Sequence, residues 1–285
     1  MDKRGSLTAF FILLAAGAGL SFLYWGNAAE ASATINEYEA AGPLESGFEP
    51  TRADMDMGVE GAEDLFADPE GNLKIITDAG TYRLSGKYSR PVIIEAEDQV
   101  VRLVLDNAEI STSDGPAIYI RSAGKVIITV VEGTENRILD SAYYSDIIPN
   151  GAIYSESDLT INGLGQLSVT GYRKDAIHTE GEFKLIGGVL SLRAKRCGIK
   201  ANDGMMIRPI KLDIESEEYG LLTSRAGTAP KGTIEISAGE ISVVAGDTAV
   251  YSAKDIIIKE CVVYFKSVVE DLKAAGEIHV EEGIL

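Results

Sequence analysis

From about residue 71 onward, short apolar runs alternate with turn residues. Leu73–Thr77, Val92–Ala96, Val100–Leu105, Leu159–Asn162, Gln166–Thr170 and Val189–Arg193 are examples, each four to six residues long. They are rich in Val, Ile and Thr, and Gly, Asn, Asp and Ser separate them, which predicts strands and tight turns. No stretch beyond the N-terminal region carries a helical period.

The runs repeat. Residues 151–203 hold three copies of one phrase: a small residue, Ile, a polar loop, a strand, Gly, a second strand and a charged turn. The apolar residues opening each phrase extend to a column of Ile94, Ile118, Ile153, Ile177, Ile199, Leu221, Val250 and Leu272. Their spacing is 22–24 residues except at two insertions, around residues 139–150 and 224–231. A fixed period of this kind marks a repeat architecture. It predicts an all-β fold, a right-handed parallel β-helix of roughly eight coils of about 22 residues, each strand pairing with its equivalent one coil on.

The register makes further columns. Two residues after the anchors stand Ile120, Ser155, Thr179, Ala201, Thr223, Ser252 and Ala274, which period two points inward. One residue before them, Ala117, Ala152, Ala176, Gly198, Gly220 and Ala249 predict a tight bend. One residue after them, Tyr119, Tyr154, His178, Lys200, Leu222, Tyr251 and Lys273 are expected to face solvent. Cys197 and Cys261 fall two coils apart on different parts of the cross-section, roughly 10 Å along the axis. That is beyond disulfide reach, so two free thiols are expected.

The N-terminus differs in kind. Lys3 and Arg4 precede an apolar run from Leu7 to Trp25, and Ala31-Ser32-Ala33 fits a cleavage site. Residues 1–33 read as a signal peptide or an uncleaved N-terminal membrane anchor, and either places the remainder outside the cytoplasm: extracellular, cell-surface or periplasmic. Residues 34–70 form an acidic linker with an N-terminal cap, a short helix being expected around residues 60–67. Residues 71–285 form the β-helix.

The net charge of −18 argues against nucleic acid as partner. Within this acidic chain one region is basic. Overlaying the coils puts Arg173-Lys174 beneath Lys195-Arg196 and His178 beneath Lys200, with Glu217-Glu218 on the next coil as neutralising partners. These cations read as a site for an acidic sugar polymer, with Tyr154, Tyr172 or Tyr251 as stacking surfaces. The inter-coil insertions are short, so little cleft is expected. The two histidines, His178 and His279, lie four coils apart and give Ser-His-Asp chemistry nothing to build on.

The phrases GAIYSESDLTINGLGQLSVTG, KDAIHTEGEFKLIGG and CGIKANDGMMI resemble the bacterial carbohydrate-binding β-helix family typified by cellulose- and pectin-binding proteins, whose fold is similar to that of pectate lyases. The resemblance covers residues 92–266. It implies a secreted, polysaccharide-binding β-helix, often with calcium near Asp-Gly-Ile bends. Asp175 keeps the acid of that pattern, but Ala176 replaces the glycine, and Cys197, Tyr219 and Thr248 stand where further acids are expected. Asp175 is thus the metal candidate, with Asp114, Asp203 and Asp247 as contributors, since calcium requires six to eight oxygens.

Three functions follow from these observations. The first is a non-catalytic binder of acidic, uronate-type glycans using Arg173, Lys174, Asp175, His178, Lys195, Arg196, Lys200 and Tyr154. The second is a polysaccharide lyase on the same fold, and the third a structural surface adhesin.

Overall fold

A computed structural model describes residues 47–66, 73–144, 149–228 and 230–281. The chain forms a parallel β-solenoid of about nine turns, equivalent positions lying about 23 residues apart. One continuous sheet wraps around the axis as three faces. Face A carries the anchor strands, among them Gly151–Ser155, Asp175–Thr179, Cys197–Ala201 and Tyr219–Thr223. Face B follows, with residues 126–130, Gly204–Arg208 and Ile234–Ser237, and then face C, with Glu135–Leu139, Lys211–Ser216 and Glu240–Ala245.

The anchor column is Lys74, Val92, Ile118, Ile153, Ile177, Ile199, Leu221, Val250 and Leu272. From Ile118 onward it matches the sequence reading. The first member differs: Val92, not Ile94, pairs with Ile118, and Ile94 pairs with Ile120. The run Val92-Ile93-Ile94 is apolar at every position, so alternation cannot fix its phase. Lys74 adds an earlier coil that the apolar column did not reveal.

The anchors from Val92 to Leu272 are almost wholly buried, as are the inward column residues from Ile120 to Ser252. Burying each Ile or Leu contributes about 1.5–3 kcal/mol, and the column repeats that gain on every coil. The small column before the anchors is set by space. A Cβ on Gly198 would lie 2.3 Å from Ile214 Cγ2, and one on Gly220 would lie 2.1 Å from Val243 Cγ1. Ile and Val on face C thus fill the room a side chain on face A would need. Both cysteines are free and buried.

Residues 47–66 pack on the solenoid rather than standing apart from it. The helical turn falls at Arg52–Met55, while Glu63–Phe66 is a strand paired with residues 82–85, so the helix expected at 60–67 lies earlier. Thr51 and Asp54 form a capping box. The turn lies against the outward side of face B, where Asn162 Nδ2 donates to the carbonyls of Asp54 (2.8 Å) and Asp56 (2.9 Å). Arg102 donates to the carbonyl of Ala53 at 3.1 Å. Phe48 and Met57 cover Ile186 and Met206. The residue 1–33 segment, with residues 34–46 and 67–70 of the acidic linker, lies outside the described residues. Among the described residues no helix is long and apolar enough to cross a membrane.

Candidate functional site

The outward side of face C carries an elongated depression. Two depressions of about 870 and 520 Å³ share Arg137, Ser168 and Ser191 and so form one groove. Its floor is built by register. One column runs Lys87, Glu109, Arg137, Ser168, Ser191 and Asp213, and the adjacent one Thr170, Arg193, Glu215, Val244 and Lys266. Tyr172, Lys195, Glu217, Gly246 and Val268 line its edge, at the bend where face C turns into face A.

The larger depression is lined by four cations, Arg137, Arg193, Lys195 and Lys266, against two carboxylates, Glu215 and Glu217. In a chain of net charge −18 this is a local reversal of sign. Arg193 lies 3.3 Å from Glu215, and Lys195 lies 2.5 Å from Glu217. These pairs are solvent-exposed, so each contributes little to stability, about 0–1 kcal/mol. The cations therefore remain available to a ligand at small cost. The groove also contradicts the expectation of little cleft: outward strand residues of face C and the bend residues line it, not insertions.

The bend residue Tyr172 is half-exposed at the groove edge. Its backbone N–H donates to Asp140 Oδ1 at 2.6 Å, and the Tyr144 hydroxyl donates to Asp140 Oδ2 at 2.8 Å. Burial pushes the Asp140 carboxyl up, and these hydrogen bonds only partly oppose it, leaving it at about 6. Arg173 lies over the Tyr144 ring, 5.7 Å from its centre.

The basic residues singled out from the sequence do not form one surface. Lys195 stands on the groove. Arg196 turns inward and makes a two-pronged pair with Asp175, with Nε 2.8 Å from Oδ1 and the second nitrogen on Oδ2. The Cys197 N–H donates to Asp175 Oδ1 at 3.1 Å. His178 is not in solvent: it is 6 % exposed, with Nδ1 3.3 Å from Asp175 Oδ2 and Nε2 3.5 Å from Glu180 Oε1. Tyr154 packs edge-on against it at 5.0 Å, which explains its burial in an outward column. Lys174 and Lys200 are half-buried. The bend register also differs from the overlay. The Lys195 N–H bonds the Gly171 carbonyl and the Arg196 N–H the Lys174 carbonyl, so Tyr172, rather than Arg173, precedes Lys195 along the edge.

Asp175 is fully buried. Burial alone would raise its carboxyl, but the His178 imidazole and Arg196 guanidinium outweigh that and hold it below the ordinary carboxylate range. Its oxygens face a guanidinium, an imidazole and a backbone N–H, a donor set that repels a cation, so Asp175 does not fit a calcium ion. Asp114 pairs with Arg90 at 3.4 Å, Asp203 with Lys231 at 3.1 Å, and Asp247 accepts from the Thr248 hydroxyl at 3.1 Å. None of them joins Asp175, and among the described residues no three His, Cys, Asp or Glu side chains gather to hold a metal.

Tyr154 belongs to a second, acidic depression with Glu156, Asp158, Glu180 and Asp203. Its hydroxyl donates to Glu180 at 3.0 Å, and its ring meets Tyr119 edge-on at 5.8 Å. Tyr154 and Lys195 thus face different sides of the molecule. The residues sequence reasoning missed are Arg137, Ser168, Ser191, Glu215, Val244 and Lys266. Each is an ordinary outward residue of a strand, and only their shared face distinguishes them.

Residues 70–284 match the family described as carbohydrate-binding domain-containing protein, and the chain belongs to that family. A relative of the same description from Acetivibrio thermocellus is 33% identical over 218 residues, spanning 74% of this chain and 76% of the relative. Among solved structures, the gadolinium derivative of the polysaccharide lyase-like protein from C. thermocellum superposes with a TM-score of 0.72 at 27% identity. It covers 78% of this chain and 97% of its own.

Proposed function

We propose that this protein is exported and binds an extended acidic polysaccharide, of uronate type, along the groove of face C without cleaving it. The observation that carries the reading is the local excess of cations in the larger depression, where Arg137, Arg193, Lys195 and Lys266 stand against Glu215 and Glu217. Successive coils step by about 4.8 Å, close to the length of one pyranose unit, so neighbouring sugars meet equivalent positions on successive coils. The excess of cations over carboxylates in the larger depression favours an anionic chain. Lyase chemistry would require a base at the sugar C5 proton beside a neutralised uronate carboxylate. Arg193 and Lys195 stand in exposed ion pairs with Glu215 and Glu217, and cations paired in this way bind a uronate carboxylate rather than accept its C5 proton. The apolar run 7–25 followed by Ala31-Ser32-Ala33 supports export, to the cell surface or beyond.

Affinity electrophoresis tests this, using gels containing polygalacturonate or a neutral β-glucan, with and without a calcium chelator. Retardation by polygalacturonate, weakened by the Arg193→Ser/Lys195→Ser double change and by added salt, is expected. Ultraviolet absorbance should stay flat, since no unsaturated uronate forms. Equal retardation by the neutral glucan would sink the acidic preference, and rising absorbance the non-catalytic role.

A further inference from the structure

The groove edge contains one aromatic platform. Among its lining residues Tyr172 is the sole aromatic, and it is 46% exposed. It stands at the place where the residue 139–150 insertion leaves the stack. There Asp140, 1% exposed, accepts the Tyr172 N–H at 2.6 Å and the Tyr144 hydroxyl at 2.8 Å. Two donors from different segments thus converge on one buried carboxyl. The bend that carries Tyr172 is fixed at its first residue, and Tyr144 beneath Arg173 fixes its second. An exposed ring on a mobile loop gains little by stacking, because ordering it costs entropy, whereas a ring already held does not incur that cost. The Lys195 N–H on the Gly171 carbonyl sets Lys195 one coil further along the same edge, about 4.8 Å on.

We propose that Tyr172 is the stacking platform of a hexuronate subsite, that Lys195 takes the carboxylate of the ring seated there, and that Asp140 is the positioning residue holding the platform. The inference rests on the groove reading above and deepens it. A pyranose presents a C–H face that covers an aromatic ring and buries apolar area on both. Its carboxylate then projects from the ring edge toward the next coil, where the Lys195 ammonium stands. Glu217, 2.5 Å from Lys195 Nζ, holds that ammonium on the groove side. A neutral hexose would gain the stacking but not the charge contact. The subsite would therefore contribute to affinity through Tyr172 and to selectivity through Lys195.

The test uses the full chain and an oligogalacturonate. With Trp25, the single native tryptophan, changed to Phe, Tyr172→Trp places one indole at the subsite. A blue shift of its emission on titration is expected. By calorimetry Tyr172→Phe should bind like the native chain, and Tyr172→Ala at least about tenfold more weakly. Lys195→Ser should narrow the preference for the oligogalacturonate over its neutral counterpart. Asp140→Ala should weaken binding as Tyr172→Ala does, while Asp140→Asn, which keeps an acceptor for the Tyr172 N–H, should retain most of it. Should Asp140→Ala fail to fold, the exposed Tyr172 variants still decide the matter. Native binding with Tyr172→Ala unimpaired overturns the subsite and leaves the groove reading standing. Absence of binding by the native chain overturns both.

Discussion

Asp175 shows how a residue that looks like a ligand-binding acid can be a structural one. In the sequence it sits in the Asp-Ala-Ile-His phrase beside basic bends, the place where calcium or a glycan is expected. In the fold it is the hub of an internal knot made by Arg196, His178 and the Cys197 N–H. The sign of its pH effect follows from its lowered folded-state pKa. The stabilisation is fully present above the unfolded value, near 3.8, and is lost as pH falls through the lower folded value. Asp175→Asn leaves the half-buried Arg196 without its counter-charge. We expect a loss of about 2–3 kcal/mol at pH 7, below the full cost for a completely buried pair because Arg196 keeps some solvent. That corresponds to roughly 4–8 °C in Tm for a domain of this size. Thermal unfolding between pH 7 and 2 checks it: the gap between native and variant should shrink at the acid end. A gap constant with pH would assign the loss to packing instead. The knot was not legible in the sequence, because the direction in which Arg196 turns depends on a bend one residue shorter than the one below it.

At the scale of elements, legibility followed the strength of the repeat. Seven anchors, Ile118 to Leu272, were fixed because each coil repeats one apolar position between small and small-or-polar neighbours. The phase failed at Val92-Ile93-Ile94, where the pattern loses contrast. It failed again at the charged bend, where Tyr172-Arg173-Lys174 faces only Lys195-Arg196. The strap at residues 51–57 has the composition of an acidic linker, and nothing in its sequence sets it apart from one. Yet Asp54 is wholly buried, with Lys125 Nζ at 3.0 Å and the Thr160 hydroxyl at 2.7 Å. Burial would raise its carboxyl, but hydrogen bonds from Thr160, Thr51 and Lys125 outweigh it and bring it down to about 2. Nothing in an acidic stretch marks which carboxylate is buried; the partners lie 71 and 106 residues away. Asp54→Ala removes the carboxylate half of the capping box and both long-range contacts, so the strap should open locally while the coils persist. Hydrogen exchange should accelerate at the Met55 and Asp56 amides, which bond the Thr51 and Arg52 carbonyls, and stay slow at Ile177 and Ile199. Equal acceleration at both places would show that the strap and coils unfold together.

At the scale of the whole molecule, the groove is a consequence of stacking rather than of any loop. Eight successive face-C segments contribute to it, from the one carrying Lys87 to the one carrying Lys266. Seven coil steps of ~4.8 Å give a length of roughly 34 Å. A site built this way has no single specificity pocket. It has a graded series, from the Lys87–Glu109 pair at 3.2 Å at one end to the cation-rich half around Arg193 and Lys195. Affinity for an acidic oligosaccharide should therefore rise with chain length, steeply while added sugars meet the cation-rich half and more slowly where they meet Glu109, Glu135 and Asp213 of the smaller depression. It should level off at about seven sugars, when the groove is filled at one sugar per coil step. Calorimetry with oligogalacturonates of defined length measures this. The same series run on Arg193→Ser/Lys195→Ser should lose affinity at every length that reaches the larger depression, yet level off at the same length, because the coils that set the groove's extent are unchanged. A plateau at two or three sugars would instead confine binding to one subsite, making the long groove a by-product of the fold.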